Sequence, residues 1–316
     1  MAYYLGIDGG GSKTTCAIGD ELSQLATAVA GPSNFTRVGE SRARESLHQA
    51  IRDACTTAQI VPQQIQRACI GVAGAGREEV ATLVRNIVAE VIGGEVEVVG
   101  DMPIALEAAF GKEPGVIVIA GTGSIAYGRD AQGMTARAGG WGYAISDEGS
   151  AHWIGRTAVS ALLRDIDQNT ALGKDAQSTA EASLLFRELK AVWNVHSIHE
   201  FVRTANSNPD FAGLFRAVMT AADAGDALAQ EVLKHAGREL AGLVRIIVRR
   251  LFAEDRESLR AIPLAIAGGV FRHSPGVREV FCDEVRSLDR SFRVNPQVVE
   301  PVLGALEMAR TGGCKD

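Results

Sequence analysis

Asp8-Gly9-Gly10-Gly11-Ser12-Lys13-Thr14 decides how the rest of the chain is read. It lies between an apolar run, Tyr3 to Asp8, and an alternating run, Thr14 to Gly19, so it joins two strands of a hairpin. Three consecutive glycines permit positive φ and let backbone N–H groups approach an anion closely. Ser12 and Lys13 add a hydroxyl and a positive charge for phosphate oxygens. Asp8, at the strand end, could hold Mg2+ through water, because Mg2+ keeps much of its hydration shell. A plain glycine-rich β-turn would use the same residues. A Walker A loop fails on spacing: counted from Gly6, the lysine falls one place late at Lys13, and a strand follows rather than a helix.

The chain makes a second start at Val116. Val116 to Ala120 is apolar, Gly121-Thr122-Gly123-Ser124 is a glycine turn, and Ser124 to Arg129 and Met134 to Ala138 follow as strands. This repeats the opening of the first half. Two such turns, one in each repeat, could face one another across a cleft and hold a triphosphate from both sides. Either turn alone is weak evidence; the pair is much stronger.

Between the two openings, Gln24 to Gly31, Ala68 to Ala73 and Glu95 to Gly100 read as strands. Ser41 to Ala58 carries Ala43, Leu47, Ala50, Ile51, Ala54 and Ala58 at helical spacing, and Arg77 to Ile92 and Pro103 to Phe110 are further helices. The order βββαβαβα means a mixed sheet with helices on its faces. After residue 138 the chain is mainly helical: Gly149 to Asp167, Ala176 to Val192, His199 to Asn206, Phe211 to Ala224 and Ala227 to Phe252. Strand Pro263 to Ala267, helix Gly276 to Leu288, strand Phe292 to Asn295 and helix Val302 to Thr311 complete it. Two related α/β domains are expected, residues 1–115 with 300–316 and residues 116–299, the second bearing helical additions.

Five more places could carry chemistry. Asp101 ends a strand, where ligands bind in open α/β folds. A carboxylate there can take the proton of a substrate hydroxyl in phosphoryl transfer, or cap the helix that holds Pro103. Gly139-Gly140-Trp141-Gly142 suits backbone contacts to a sugar beside an indole wall. Asp147, in Ser146-Asp147-Glu148-Gly149-Ser150, could accept bonds from hydroxyls or stand at a helix N-terminus. Asn34, after Gly31-Pro32-Ser33, could fix a hydroxyl or merely turn the chain. Gly268-Gly269, between a strand and a helix, could lie flat against adenine or form a tight turn. The run Gly71 to Gly76 has the wrong offsets for a dinucleotide fingerprint, and the six histidines share no spacing.

Composition narrows the class. Hydrophobic residues make up 46% of the 316 and charged residues 22%, as in packed globular chains. The formal charge is −6 without a basic stripe, which disfavours nucleic-acid and anionic-membrane partners. No apolar run is long enough to span a bilayer and the N-terminus lacks a basic leader, so a cytoplasmic location is expected. Cys16, Cys55, Cys69, Cys282 and Cys314 have no metal-ligand spacing.

In order, these segments resemble the BadF/BadG/BcrA/BcrD ATPase family of the actin, sugar kinase and Hsp70 superfamily, and within it the N-acetylglucosamine kinases. The resemblance runs over nearly the whole chain, from Asp8 to Lys13 through Gly268-Gly269-Val270-Phe271 to a closing helix at Pro301 to Ala305. It implies two actin-like (ribonuclease H-like) α/β domains with a nucleotide cleft between them. It implies ATP and Mg2+, with Gly9, Gly10, Gly11, Ser12, Lys13, Gly121, Thr122, Gly123, Ala222, Gly268 and Gly269 on the nucleotide side and Asp8 on the metal. It implies that Asn34, Asp101, Ser124, Gly140, Trp141 and Asp147 surround a small-molecule amino sugar, with Asp101 as catalytic base, in a homodimer. Animal N-acetylglucosamine kinases have asparagine where this chain has Ile125, so glucosamine stands beside N-acetylglucosamine as the expected substrate. Activator ATPases of 2-hydroxyacyl-CoA dehydratases and benzoyl-CoA reductases need cluster-binding cysteines, and no cysteine lies near Gly121 or Gly139 to Gly149. ROK sugar kinases carry a clustered cysteine motif, also missing. A sugar sensor would need a DNA-binding extension.

Overall fold

A computed structural model of the chain describes residues 2–252, 262–288 and 292–312; Cys314 lies outside them. The chain divides into two compact units, one running to Ile117 and resuming at Val299, the other Val118–Val298.

The first unit opens with β1 (Tyr3–Gly9), β2 (Thr14–Gly19) and β3 (Gln24–Ala30), then α1 (Phe35–Ala58), β4 (Ile65–Val72), α2 (Glu78–Ala89), β5 (Glu95–Val99) and α3 (Asp101–Phe110). Its sheet has the order β3-β2-β1-β4-β5. β1 runs antiparallel to β2 and parallel to β4, and β4 runs parallel to β5. Register brings Asp8 beside Gly71 and Gly71 beside Val99, so the carboxyl ends of three neighbouring strands form one rank.

Alternation along β1 divides its side chains between two faces. Leu5 and Ile7 join Leu47, Ile51, Val84 and Ile87 in a core under α1 and α2. Tyr4, Gly6 and Asp8 fall on the opposite face. There α12 (Pro301–Thr311) lies directly on the strand: a Cβ on Gly6 would stand 2.3 Å from the Leu306 nitrogen. The same helix presses on α3, where a Cβ on Gly304 would stand 1.9 Å from the Ile104 carbonyl oxygen. Cys69, Ile104, Ala305, Met308 and Ala309 fill this second core.

The second unit repeats the plan. β6 (Gly115–Ala120), β7 (Ser124–Arg129) and β8 (Thr135–Gly139) open it, and β9 (Pro263–Ala267) and β10 (Arg293–Val299) complete a sheet of order β10-β9-β6-β7-β8. Position for position this is the order of the first sheet. Helices α4 (Ala151–Ala171), α5 (Ala176–Ala182), α6 (Leu184–Trp193), α7 (Ile198–Ala205), α8 (Phe215–Asp223) and α9 (Ala227–Leu251) intervene. α10 (Gly269–His273) and α11 (Pro275–Leu288) link β9 to β10.

Three of the differences from expectation have local reasons. The helix expected over Ala176 to Val192 is broken at Ser183, whose hydroxyl accepts the Phe186 N–H and starts α6. α1 begins at Phe35 rather than Ser41, because Gly39 takes a φ of 76° and carries the chain through a kink. β10 continues past Pro296 to Val299, which an edge strand tolerates because an outward N–H is not needed for pairing.

Gly304→Ala should destabilise the protein by about 1–3 kcal/mol through overpacking against the Ile104 carbonyl. Gly242→Ala, in α9 with nothing within 4 Å of the added carbon, should stabilise by about 0.5–1 kcal/mol. Denaturant unfolding of both variants measures the two signs.

Candidate functional site

In the first unit the glycine turn closes between paired residues Gly9 and Thr14, with the Gly10 N–H donating to the Lys13 carbonyl at 2.9 Å. None of Gly9, Gly10 and Gly11 takes the left-handed backbone that the run of three allows. Close approach is the constraint instead: a Cβ on Gly9 would stand 2.5 Å from Val72 Cγ1 and 2.7 Å from Ser33 Oγ. Ser33 is fully buried, accepts from the Thr14 hydroxyl at 2.8 Å, and donates its N–H to the Gly10 carbonyl at 3.1 Å. These bonds bring the Ser33-Asn34 turn against the glycine turn. Asn34 starts α1 without a side-chain cap bond, its Oδ1 accepting from the Thr36 hydroxyl at 2.6 Å. Ser12 and Lys13 are exposed at the tip.

Asp101 is the first residue of α3, and Gly100 holds the cap position with extended backbone. The capping alternative for Asp101 therefore does not hold. Its carboxylate accepts from the N–H groups of Asp101 and Met102, yet burial outweighs them and raises its pKa. Asp8 is pushed up to about 7, first by burial, then by the Asp101 and Glu300 carboxylates, against the pull of Lys13. Register explains the first neighbour, since Asp8 and Val99 share the rank at the sheet's carboxyl edge. The closing helix explains the second: Asp8 lies on the face that α12 covers, and Glu300 immediately precedes that helix. Glu300 was missed in the sequence; its only signal was an acid before Pro301, which reads as ordinary helix-start chemistry.

In the second unit, the Gly121 N–H donates to the Gly123 carbonyl at 2.9 Å. The N–H groups of Ala151 and His152, at the start of α4, donate to the carbonyls of Gly121 and Thr122 at 2.9 and 3.4 Å. Gly268 takes a φ of 97°, and a Cβ on it would stand 2.3 Å from the Ala120 carbonyl oxygen. The expected adenosine turn thus lies against the residue preceding the second glycine turn, because β9 neighbours β6. Ala222 is buried near the end of α8, its carbonyl accepting from Gln230 Nε2 at 3.0 Å.

Asp147 ties the glycine turn to the Gly139–Gly149 loop. It is buried with φ 64°, its Oδ1 accepts the Gly142 N–H at 3.1 Å, and its Oδ2 would be 2.5 Å from a Cβ on Gly123. Burial raises its pKa, the Gly142 N–H opposes this, and Glu148 adds to it. Asp147 does not cap α4; Ser150 does, accepting the Trp153 N–H at 3.2 Å. Ser124 is buried and donates to the Glu148 carbonyl at 2.7 Å, holding the loop to β7. A Cβ on Gly140 would meet Ile125 Cδ1 at 2.4 Å, so Ile125 supports the loop from below. Trp141 is 66% exposed, and the Arg137 guanidinium lies 4.2 Å from its ring centroid.

No group of three or more His, Cys, Asp or Glu side chains among the described residues could hold a metal ion unaided. Mg2+ asks for less: one or two carboxylates, with water and phosphate oxygens completing its octahedron. Asp8, destabilised as an anion by two neighbouring acids, fits that demand.

A duplicated sheet with a glycine turn in each copy defines the actin-like nucleotide-binding class of α/β proteins. The chain belongs to the BadF/BadG/BcrA/BcrD ATPase family, whose family model matches residues 5–309. It is 34% identical over 276 residues to the N-acetylmuramic acid/N-acetylglucosamine kinase of Clostridium acetobutylicum, covering 86% of this chain and 87% of that one. It is 26% identical to the N-acetyl-D-glucosamine kinase of Dictyostelium discoideum over 97% of both. A crystal structure of a candidate N-acetylglucosamine kinase from Chromobacterium violaceum shares the fold, with a TM-score of 0.73 at 23% identity, over 98% of this chain and 99% of that one. No helix among the described residues is long and apolar enough to cross a membrane.

The acid pair makes a pH prediction for the metal-free protein. Folded Asp8 keeps its proton to about pH 7, whereas the unfolded chain releases it near 3.8. The folded state therefore binds more protons in that window, and its stability falls as pH rises through it. Asp8→Asn removes this dependence and should be more stable than the parent by about 2–4 kcal/mol at pH 8. Unfolding in chelator at pH 5 and pH 8 tests the sign.

Proposed function

We propose that this protein is an ATP-dependent kinase that phosphorylates the 6-hydroxyl of an amino sugar, with N-acetylglucosamine as substrate. One observation carries the chemistry: Asp101 stands at the carboxyl edge of the first sheet, within the field of Asp8 and beside a hairpin bearing exposed Ser12 and Lys13. The names of the curated relatives supply the substrate class.

Asp101 accepts the proton of the sugar hydroxyl as its oxygen attacks the γ-phosphorus and the bond to the β-phosphate oxygen breaks, releasing ADP. Its raised pKa suits the task, because a base nearer neutrality holds the transferred proton better. Phosphoryl transfer asks mainly for positioning and charge stabilisation. Lys13 and the backbone N–H groups of Gly9, Gly10, Gly11, Gly121 and Gly123 are assigned to phosphate oxygens, with the hydroxyls of Ser12 and Thr122. Gly268 and Gly269 are assigned to adenosine and Ala222 to the base nearby. Mg2+, when bound, neutralises phosphate charge; Asp8 would hold it, with Glu300 adding to the local field. Asn34, Ser124, Gly140, Trp141 and Asp147 are assigned to the sugar. The reading includes a cytoplasmic setting, in keeping with the buried free thiols of Cys16, Cys55, Cys69 and Cys282, and a homodimer. Glucosamine is the second substrate reading, because Ile125, packed under Gly140, offers the 2-substituent no polar group.

Incubating ATP and Mg2+ with N-acetylglucosamine, glucosamine and other hexosamines should give ADP and a 6-phosphate with N-acetylglucosamine most efficiently. ADP release without sugar phosphate would remove the kinase reading. Asp101→Asn should lower kcat by about 10²–10⁴-fold while sugar binding stays measurable by calorimetry. Trp141→Ala should raise the sugar KM roughly tenfold, equivalent to about 1.4 kcal/mol, and the ATP KM less; the reverse order would take the indole out of the sugar site.

A further inference from the structure

We infer that His152 is a positioning residue that couples the amino-sugar loop to the second phosphate turn, so that sugar and nucleotide strengthen each other's binding. The inference rests on the proposed function, since it takes that loop as the sugar's and that turn as the nucleotide's.

His152 lies in the first turn of α4 and touches both. Its backbone N–H donates to the Thr122 carbonyl at 3.4 Å, beside the Ala151 bond to Gly121. These are two of the donors that a helix leaves unmatched at its N-terminus, so the glycine turn is tied to the helix start. On the other side, the imidazole packs 4.8 Å from the Tyr143 ring, tilted by 48°, and 5.4 Å from the Phe211 ring, edge-on at 73°.

The two neighbours differ in how firmly they are held. Phe211 is fixed to α4: a Cβ on Gly155 would stand 2.0 Å from its carbonyl oxygen, and its ring meets Trp193 at 5.7 Å. Tyr143 is 48% exposed, in a loop segment that also exposes Trp141 at 66% and Ile145 at 79%. The backbone of this loop turns at Gly139, Gly140, Gly142, Asp147 and Gly149, all with positive φ. Asp147 holds the Gly142 N–H and Ser124 holds the Glu148 carbonyl, and between these two ties Tyr143 packs its ring on His152. A ligand that draws the loop in moves Tyr143 against a ring whose own backbone is bonded to the phosphate turn. By linkage, whatever the sugar adds to nucleotide affinity the nucleotide adds to sugar affinity.

Calorimetric titration of the whole chain with the non-hydrolysable nucleotide AMP-PNP and Mg2+, with and without saturating N-acetylglucosamine, tests this. In the parent, sugar should tighten nucleotide binding at least about fivefold. His152→Ala should bring the ratio within about twofold of unity, while His152→Phe, which keeps a ring, should retain most of the coupling. Tyr143→Ala removes the exposed partner, should match His152→Ala, and carries the test should His152→Ala fail to fold. Unchanged coupling in His152→Ala or Tyr143→Ala would overturn the inference, as would a parent that binds both ligands independently. A parent that binds neither ligand would overturn the kinase reading as well.

Discussion

Gly6 lies where a side chain would collide with the backbone of Leu306, so α12 rests on β1 only because the strand is bare at that point. The contact is backbone against backbone, and Gly304 repeats it against α3. Much follows from this closeness. The helix covers the face of β1 that carries Asp8, and its start delivers Glu300 to the same neighbourhood. A buried carboxylate facing two others is costly unless protonated or matched by a cation. The same packing that completes the second core of the first unit therefore prepares a site for positive charge.

The second unit uses different means to the same end. Its glycine turn is held from behind by the N–H groups at the start of α4, and from beside by Gly268 against Ala120. Asp147 spans from that turn to the Gly142 N–H. The start of α4 and the Gly139–Gly149 loop both meet the stretch Gly121 to Ser124, and Gly268 lies against Ala120 just before it. Ser124 anchors the same loop, its hydroxyl donating to the Glu148 carbonyl.

Most of the element order was legible because hydrophobic period and glycine placement are local properties. β2 and β7 carry the expected limits, and the two sheets share one strand order, as a repeated opening implies. Where reading failed, a single side chain or neighbour was responsible. Ser183 breaks a helix by offering its hydroxyl to Phe186, and Gly39 lets α1 start a turn and a half early. The triple glycine invited an argument from positive φ, yet none of the three takes it, and Gly9 is bare to make room for Val72 and Ser33. Composition cannot distinguish those two causes, because both remove a Cβ.

The chain's own order of residues determined the strand–turn–strand repeats, the acids at strand ends and the family they belong to, since each depends on neighbours a few positions apart. Only the tertiary structure decided that Glu300 joins Asp8, that Gly268 lies over Ala120, and that His152 links Tyr143 to Thr122. Those pairings join residues from 9 apart in sequence to nearly the whole chain apart. They arise from strand register and helix packing, which no local pattern encodes, because each is settled by the shape of a surface assembled from several segments at once.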